Sequence, residues 1–87
     1  MTTYKFPAIF ETDEETLTIT ITFPDLPGAI SQGDDLEDAM YMAGDVLVGF
    51  LLIMIEDGET IPEPSTTETI DLSEKAYIQM IEVELTE

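Results

Sequence analysis

Leu17, Ile19, Ile21 and Phe23 alternate with Thr18, Thr20 and Thr22. Strict period-two patterning with β-branched residues predicts a half-buried strand over about 17–23. Upstream, Tyr4, Phe6, Ala8 and Phe10 share one parity and predict a first strand over about 4–11. Pro7 lies on the other parity and cannot donate to a ladder, so it must sit at a bulge or where no donor is needed. The polar run Glu11–Thr16 connects the two strands as a hairpin. Two prolines then end the second strand at Phe23–Pro27, Gly28 turns the chain, and a short third strand follows over about 29–32.

The pattern next switches to helical spacing, over about 35–56. Asp35 can cap this helix with Asp38 reaching back from the third position, and Glu37 and Asp38 suit its positive end. Leu36, Met40, Ala43, Leu47, Phe50, Leu51 and Met54 fall on one line and predict the face against the sheet. Tyr41, Val48, Leu52 and Ile55 form a second line on roughly the opposite side, and one sheet cannot bury both. The helix, at about 30 Å, also outruns a seven-residue strand of about 23 Å. A Pro- and Thr-rich connector over about 58–70 leads to a last strand over about 76–85. Tyr77, Ile81, Val83 and Leu85 lie on one of its faces, Glu82 and Glu84 on the other. The resulting β-β-β-α-β order predicts an α+β, two-layer domain. In it, a three-strand antiparallel meander gains a fourth strand parallel to the first, by right-handed crossover, under one long helix.

Charge changes this picture more than size does. Eighty-seven residues make one domain with a modest core, for which self-association would be an advantage. Twenty Asp and Glu stand against Lys5 and Lys75, giving −18 with no His. Nucleic-acid binding needs cations to displace condensed counterions, so direct binding of DNA or RNA by these residues is not expected. Anionic membrane surfaces are disfavoured on the same ground. No uninterrupted run of about 18 apolar residues spans a membrane, no secretory signal is visible at the start, and cytoplasm is the default location. Such a field draws in a basic partner and raises its association rate. Without cysteine, disulfides, thiolate metal sites and thiol catalysis are excluded.

The order of strand, Phe23-Pro24-Asp25-Leu26-Pro27-Gly28 turn, short strand, Gln32-Gly33-Asp34 and helix closely resembles the N-terminal domain of the HicB family of bacterial antitoxins. The resemblance extends to the tyrosine-and-proline first strand, Tyr4 to Glu11, and to the exit Gly58-Glu59-Thr60-Ile61-Pro62-Glu63-Pro64-Ser65. It covers roughly residues 4–65. It implies a truncated ribonuclease-H-like fold, no cofactor, and a toxin-neutralising role against a HicA toxin, a small basic protein that cleaves mRNA. Many members also carry a C-terminal DNA-binding segment for their own operator, and this chain is expected to stop where that segment would begin. Ala29 replaces the usual cysteine or small residue after the glycine.

No catalytic constellation competes strongly. The absence of His, Cys and Arg removes triads and histidine–metal sites. A magnesium-dependent nuclease would need carboxylates converging from strand ends and the helix start, with Glu11, Asp25 and Asp34 or Asp35 as candidates. Yet no acid lies inside the strand 17–23 and no cation is at hand for a phosphate. An EF-hand fails because Ile53 and Ile55 occupy ligand positions. The toxin-binding candidates are therefore Glu11, Asp13, Glu14, Asp25 and Asp34, although Asp25 reads first as a turn residue and Asp34 first as a helix cap. Tyr41, Val48, Leu52 and Ile55 are the candidate homodimer interface. Gly44 and Gly49, each costing about 1 kcal/mol inside a helix, fit close approach of another backbone there. The rival reading is a stand-alone, self-associating acidic binding or scaffold domain with no toxin.

Overall fold

A computed structural model describes residues 2–66, 72 and 75–86 of the chain. The elements are β1 (Thr2–Thr12), β2 (Ile19–Thr22), β3 (Ile30–Gly33), α1 (Leu36–Glu56) and β4 (Ala76–Leu85). They form one four-stranded sheet in the order β3-β2-β1-β4, with α1 on one face. The expected α+β two-layer architecture and element order hold. The connector's residues 67–70 lie outside the described residues.

One expectation is overturned. β4 runs antiparallel to β1, from Glu11↔Ala76 to Thr2↔Leu85, and the whole sheet is antiparallel. Helix α1 starts beside the end of β3 and carries the chain back toward the start of β1. A parallel β4 would begin there. Residues 57–75 separate helix from strand, and at about 3.3 Å each they can reach some 60 Å. That is ample to re-climb the sheet, so β4 starts at the far end and descends. The right-handed parallel crossover is the shorter route, and a connector of this length does not require it.

β2 is also shorter than its alternation suggests. Leu17 has φ 62 and is 65% exposed, so it belongs to the hairpin turn and not to the strand. Pro7 pairs with Met80 of β4, whereas β2 lies opposite only Ile9–Thr12 of β1. The other flank of β1 at Pro7 thus has no β2 partner requiring a donor, which meets the sequence condition.

The core lies between sheet and helix. Phe6, Ala8 and Phe10 of β1, Ile19 and Ile21 of β2 and Ile81 and Leu85 of β4 meet Ala39, Ala43, Leu47 and Leu51 of α1. The buried helix line is therefore a strict every-fourth-residue ladder beginning at Ala39. Leu36 and Met40, expected in the core, are 52% and 37% exposed. Gly33 supplies the reason: a Cβ there would stand 2.4 Å from the backbone nitrogen of Ala39 and 2.5 Å from its Cα. The first turns of α1 rest on the backbone of β3, where only small residues fit, and the larger side chains are rotated outward.

Both ends of α1 are satisfied. Asp35 Oδ1 accepts from Asp38 N–H at 2.8 Å, and Asp38 Oδ2 accepts from Asp34 N–H at 2.9 Å. At the other end Gly58, with φ 75, donates to Ile55 O at 3.1 Å, and Glu59 donates to Met54 O at 2.9 Å. This is the Schellman arrangement that a left-handed residue after the helix permits.

Candidate functional site

Register decides where the acids gather. Thr12, Ile19 and Gly33 stand side by side at one end of the sheet, and α1 begins and β4 starts at that same end. Glu11, Asp13, Glu14 and Asp34 are therefore brought together at one pole of the molecule. Glu15, Asp35, Glu37 and Asp38 join them, a clustering of eight named acids that spacing along the chain did not reveal. The described cation at this pole is Lys75, whose Nζ lies 3.0 Å from Glu14 Oε2 with both side chains well exposed. Such a pair contributes little to stability. It leaves the pole strongly acidic.

The hairpin is built on Asp13. Its Oδ1 accepts from Glu15 N–H at 2.8 Å and Thr16 N–H at 3.2 Å, while its backbone N–H donates to Thr18 O at 2.8 Å. Leu17 N–H closes the loop on Asp13 O at 2.8 Å. The backbone N–H of Thr16, and then that of Glu15, favour the ionised carboxylate and hold Asp13 below the usual carboxylate value. Asp13 thus serves the turn while adding its charge to the pole.

Asp25 does not join them. It lies in the turn after β2, at the opposite end of the sheet, where Leu26 N–H donates to Phe23 O at 3.0 Å and Ala29 N–H to Leu26 O at 2.9 Å. Phe23, Leu26 and Ala29 point into the core from this turn, and Gly28 takes φ 99. The Asp25 carboxylate accepts from Ser65 N–H at 2.9 Å and from Ser65 Oγ–H. A clasp between the Pro-rich turn and the Pro-rich connector thus engages it. The same separation divides the carboxylates considered for magnesium. Glu11, Asp34 and Asp35 are at one pole and Asp25 is at the other, and among the described residues no group of three or more is placed to hold a metal ion.

The second candidate surface is the helix flank. Tyr41, Leu52 and Ile55 are exposed, Tyr41 by 70%, while Val48 is half-buried at the margin of the core. Ile53, at 60% exposure, widens the apolar area. Tyr41, Gly44, Asp45 and Val48 line a groove of about 400 Å³ with Val83 and Glu84 of β4, so this flank overhangs the β4 edge. A Cβ at Gly44 or Gly49 would meet nothing within 4 Å. Over 18 residues α1 reaches a mean hydropathy of 1.8, which by length and composition alone would suffice to cross a bilayer. Asp45 interrupts it midway, and its Ala39–Leu51 face is packed on the sheet.

Comparison with known proteins agrees with this architecture. The family model described as "HicB_like antitoxin of bacterial toxin-antitoxin system" matches residues 5–75. Antitoxin HicB 2 of Photorhabdus laumondii is 42% identical over 62 residues, which is 71% of this chain and 43% of that protein. Antitoxin HicB 1 of the same organism is 40% identical over 60 residues, 69% of this chain and 38% of that protein. The chain thus matches less than half the length of these curated relatives. Among solved structures, the N-terminal domain of Burkholderia pseudomallei antitoxin HicB superposes with TM-score 0.77 at 28% identity, covering 94% of this chain and all (100%) of that one. A toxin–antitoxin complex from Streptococcus pneumoniae shares the fold, with TM-score 0.84 at 21% identity over 95% of this chain and 70% of that one. By its sequence over most of its length, and with a fold to match, the chain belongs to the HicB-like antitoxin family.

Proposed function

We propose that this chain is the toxin-neutralising domain of a type II antitoxin and that its acidic pole masks the basic, RNA-binding face of a HicA-like mRNA-cleaving toxin. The observation that carries the proposal is the gathering of Glu11, Asp13, Glu14, Glu15, Asp34, Asp35, Glu37 and Asp38 at one end of a rigid sheet. These carboxylates mimic the charge of a phosphate backbone, and the folded surface behind them blocks RNA sterically. The antitoxin supplies no chemistry of its own, and the encounter takes place in the cytoplasm, where mRNA is. Self-association through Tyr41, Val48, Leu52 and Ile55 covers the remaining apolar flank.

Stopped-flow mixing with the toxin tests this. Unsteered association runs at about 10⁵–10⁶ M⁻¹s⁻¹, and steering should raise it by a decade or more at low salt. Reversing Glu14 and Asp34 together to Lys should slow association several-fold. Rates indifferent to ionic strength and to that double change would refute the masking geometry.

A further inference from the structure

The free edge of β4 is long and lightly defended. It spans Ala76–Leu85 on the outside of the sheet, and among the described residues no strand pairs with that side. It contains no proline, lysine or arginine, the strongest devices that keep an edge from pairing, and its only charges are Glu82 and Glu84 near one end. Beside its Val83–Glu84 end lies the helix flank of Tyr41, Gly44 and Val48, which continues at helical spacing to Leu52 and Ile55. Edge and flank meet at Val83 and Glu84.

We propose that a second copy of this chain occupies this surface by antiparallel β4–β4 pairing, giving one continuous eight-stranded sheet with the two helices side by side above the seam. This deepens the self-association stated above and rests on it. Symmetry narrows the register. A twofold axis perpendicular to the sheet keeps both helices on one face and pairs only residues of like parity. Shifting by one residue would place the helices on opposite faces and leave both flanks uncovered. Two like-parity registers use nearly the whole strand, with the axis at Met80 or at Ile81. In the first, Glu82 lies opposite the partner's Ile78 and Glu84 opposite the partner's Ala76. In the second, Glu82 lies opposite the partner's Met80 and Glu84 opposite the partner's Ile78. Neither register sets acid against acid, which would be destabilising in directly opposed positions.

Charge otherwise argues against a second copy, since each carries −18. The antiparallel arrangement relieves this. It sends the two acidic poles to opposite ends of a seam about 34 Å long, several screening lengths apart at physiological salt. The area is adequate too. A face of that length across the molecule's shortest extent, 19 Å, spans roughly 650 Å², close to the roughly 800 Å² per partner of a standard interface. Gly44, with open space beside it, lets the two helices approach over the seam.

The chain has no cysteine, so single cysteines report the register cleanly. Opposed residues in an antiparallel pair have Cα atoms roughly 4.5–5.5 Å apart, within disulfide reach. Met80→Cys alone reads the first register, and Met80→Cys mixed with Glu82→Cys reads the second. One of these should crosslink under mild oxidation at least tenfold faster than Thr20→Cys, placed away from the seam on β2. Sedimentation of the wild-type chain, run in parallel, separates the readings. A dimer with no crosslink from either sample overturns edge pairing and leaves helix-mediated association standing. A monomer at high micromolar concentration overturns both, and loss of toxin binding by Met80→Lys would then assign the edge to the toxin. Toxin titration is a separate measurement, so the masking role stands or falls independently.

Discussion

Replacing Gly33 with alanine should be among the most damaging single-methyl changes possible in this molecule. The added Cβ would lie 2.4 Å from Ala39 N, 2.5 Å from Ala39 Cα and 2.9 Å from Ala39 Cβ. All three neighbours sit in or on a helix backbone, so no rotamer change can relieve the contact. Ordinary carbon contacts begin near 3.5 Å, so the start of α1 must lift from β3 by about 1 Å. Overpacking of this kind costs about 1–3 kcal/mol, and backbone meeting backbone places it at the upper end. A domain of this size holds roughly 4–13 kcal/mol in total. At about 4–8 °C per kcal/mol, melting should fall by roughly 12–24 °C. Gly49→Ala is the internal control, because open space surrounds that position and alanine favours a helix by about 1 kcal/mol. Thermal unfolding followed by circular dichroism gives both numbers. A Gly33→Ala protein melting within about 2 °C of wild type would refute the close approach of α1 to β3.

Leu52→Glu, on an exposed helix position, should dissociate the self-associated form in analytical ultracentrifugation while leaving the far-UV spectrum nearly unchanged. Salt should act in opposite directions on the two interfaces: raising ionic strength slows association with a basic toxin but strengthens pairing of two acidic copies, as sedimentation at low and high salt will show. Asp25→Ala removes both hydrogen bonds of the Ser65 clasp and should cost about 1.5–3 kcal/mol in urea unfolding, with little effect on toxin association because it lies at the far pole. Asp13 is held below its ordinary pKa, so its contribution to the hairpin is present above the unfolded value and lost as pH falls through the lower folded one. An NMR titration of its side chain should show a midpoint below 3.8, and Asp13→Asn should abolish that acid-dependent step.

Much of the fold was readable from local signals, because those signals are enforced locally. The Asp35 cap, the Gly58 exit and the alternation through Ile19 and Ile21 each follow from one or two turns of chain. Failures occurred where distant parts of the chain decide. Leu17 continues an alternation but is claimed by the Asp13 turn. Leu36 and Met40 fit the helical stripe, yet Gly33 dictates that Ala39 faces the sheet. The direction of β4 depends on where a connector delivers the chain, which hydropathy does not encode. The acidic pole shows the same division. Glu11, Asp13, Glu14 and Asp34 were recognisable as loop acids, but only strand register unites them with Glu15, Asp35, Glu37 and Asp38 and excludes Asp25.

The pairing of Thr2 with Leu85 has a consequence for how the molecule is made. The longest ladder of the sheet joins β1 to β4, so β1 waits for β4 until more than sixty further residues have left the ribosome. The hairpin of β1 and β2 and the packing of α1 can form earlier, but Phe6 and Phe10 keep an unclosed neighbour until Ile81 and Tyr77 arrive. Closing so long a loop is an entropic obstacle met before its contacts are gained. Linking the adjacent ends and reopening the chain within the exposed 13–17 hairpin would turn this ladder into a local one. The permuted protein should keep its native structure and refold faster than the natural order, because the late step in its assembly becomes an early one.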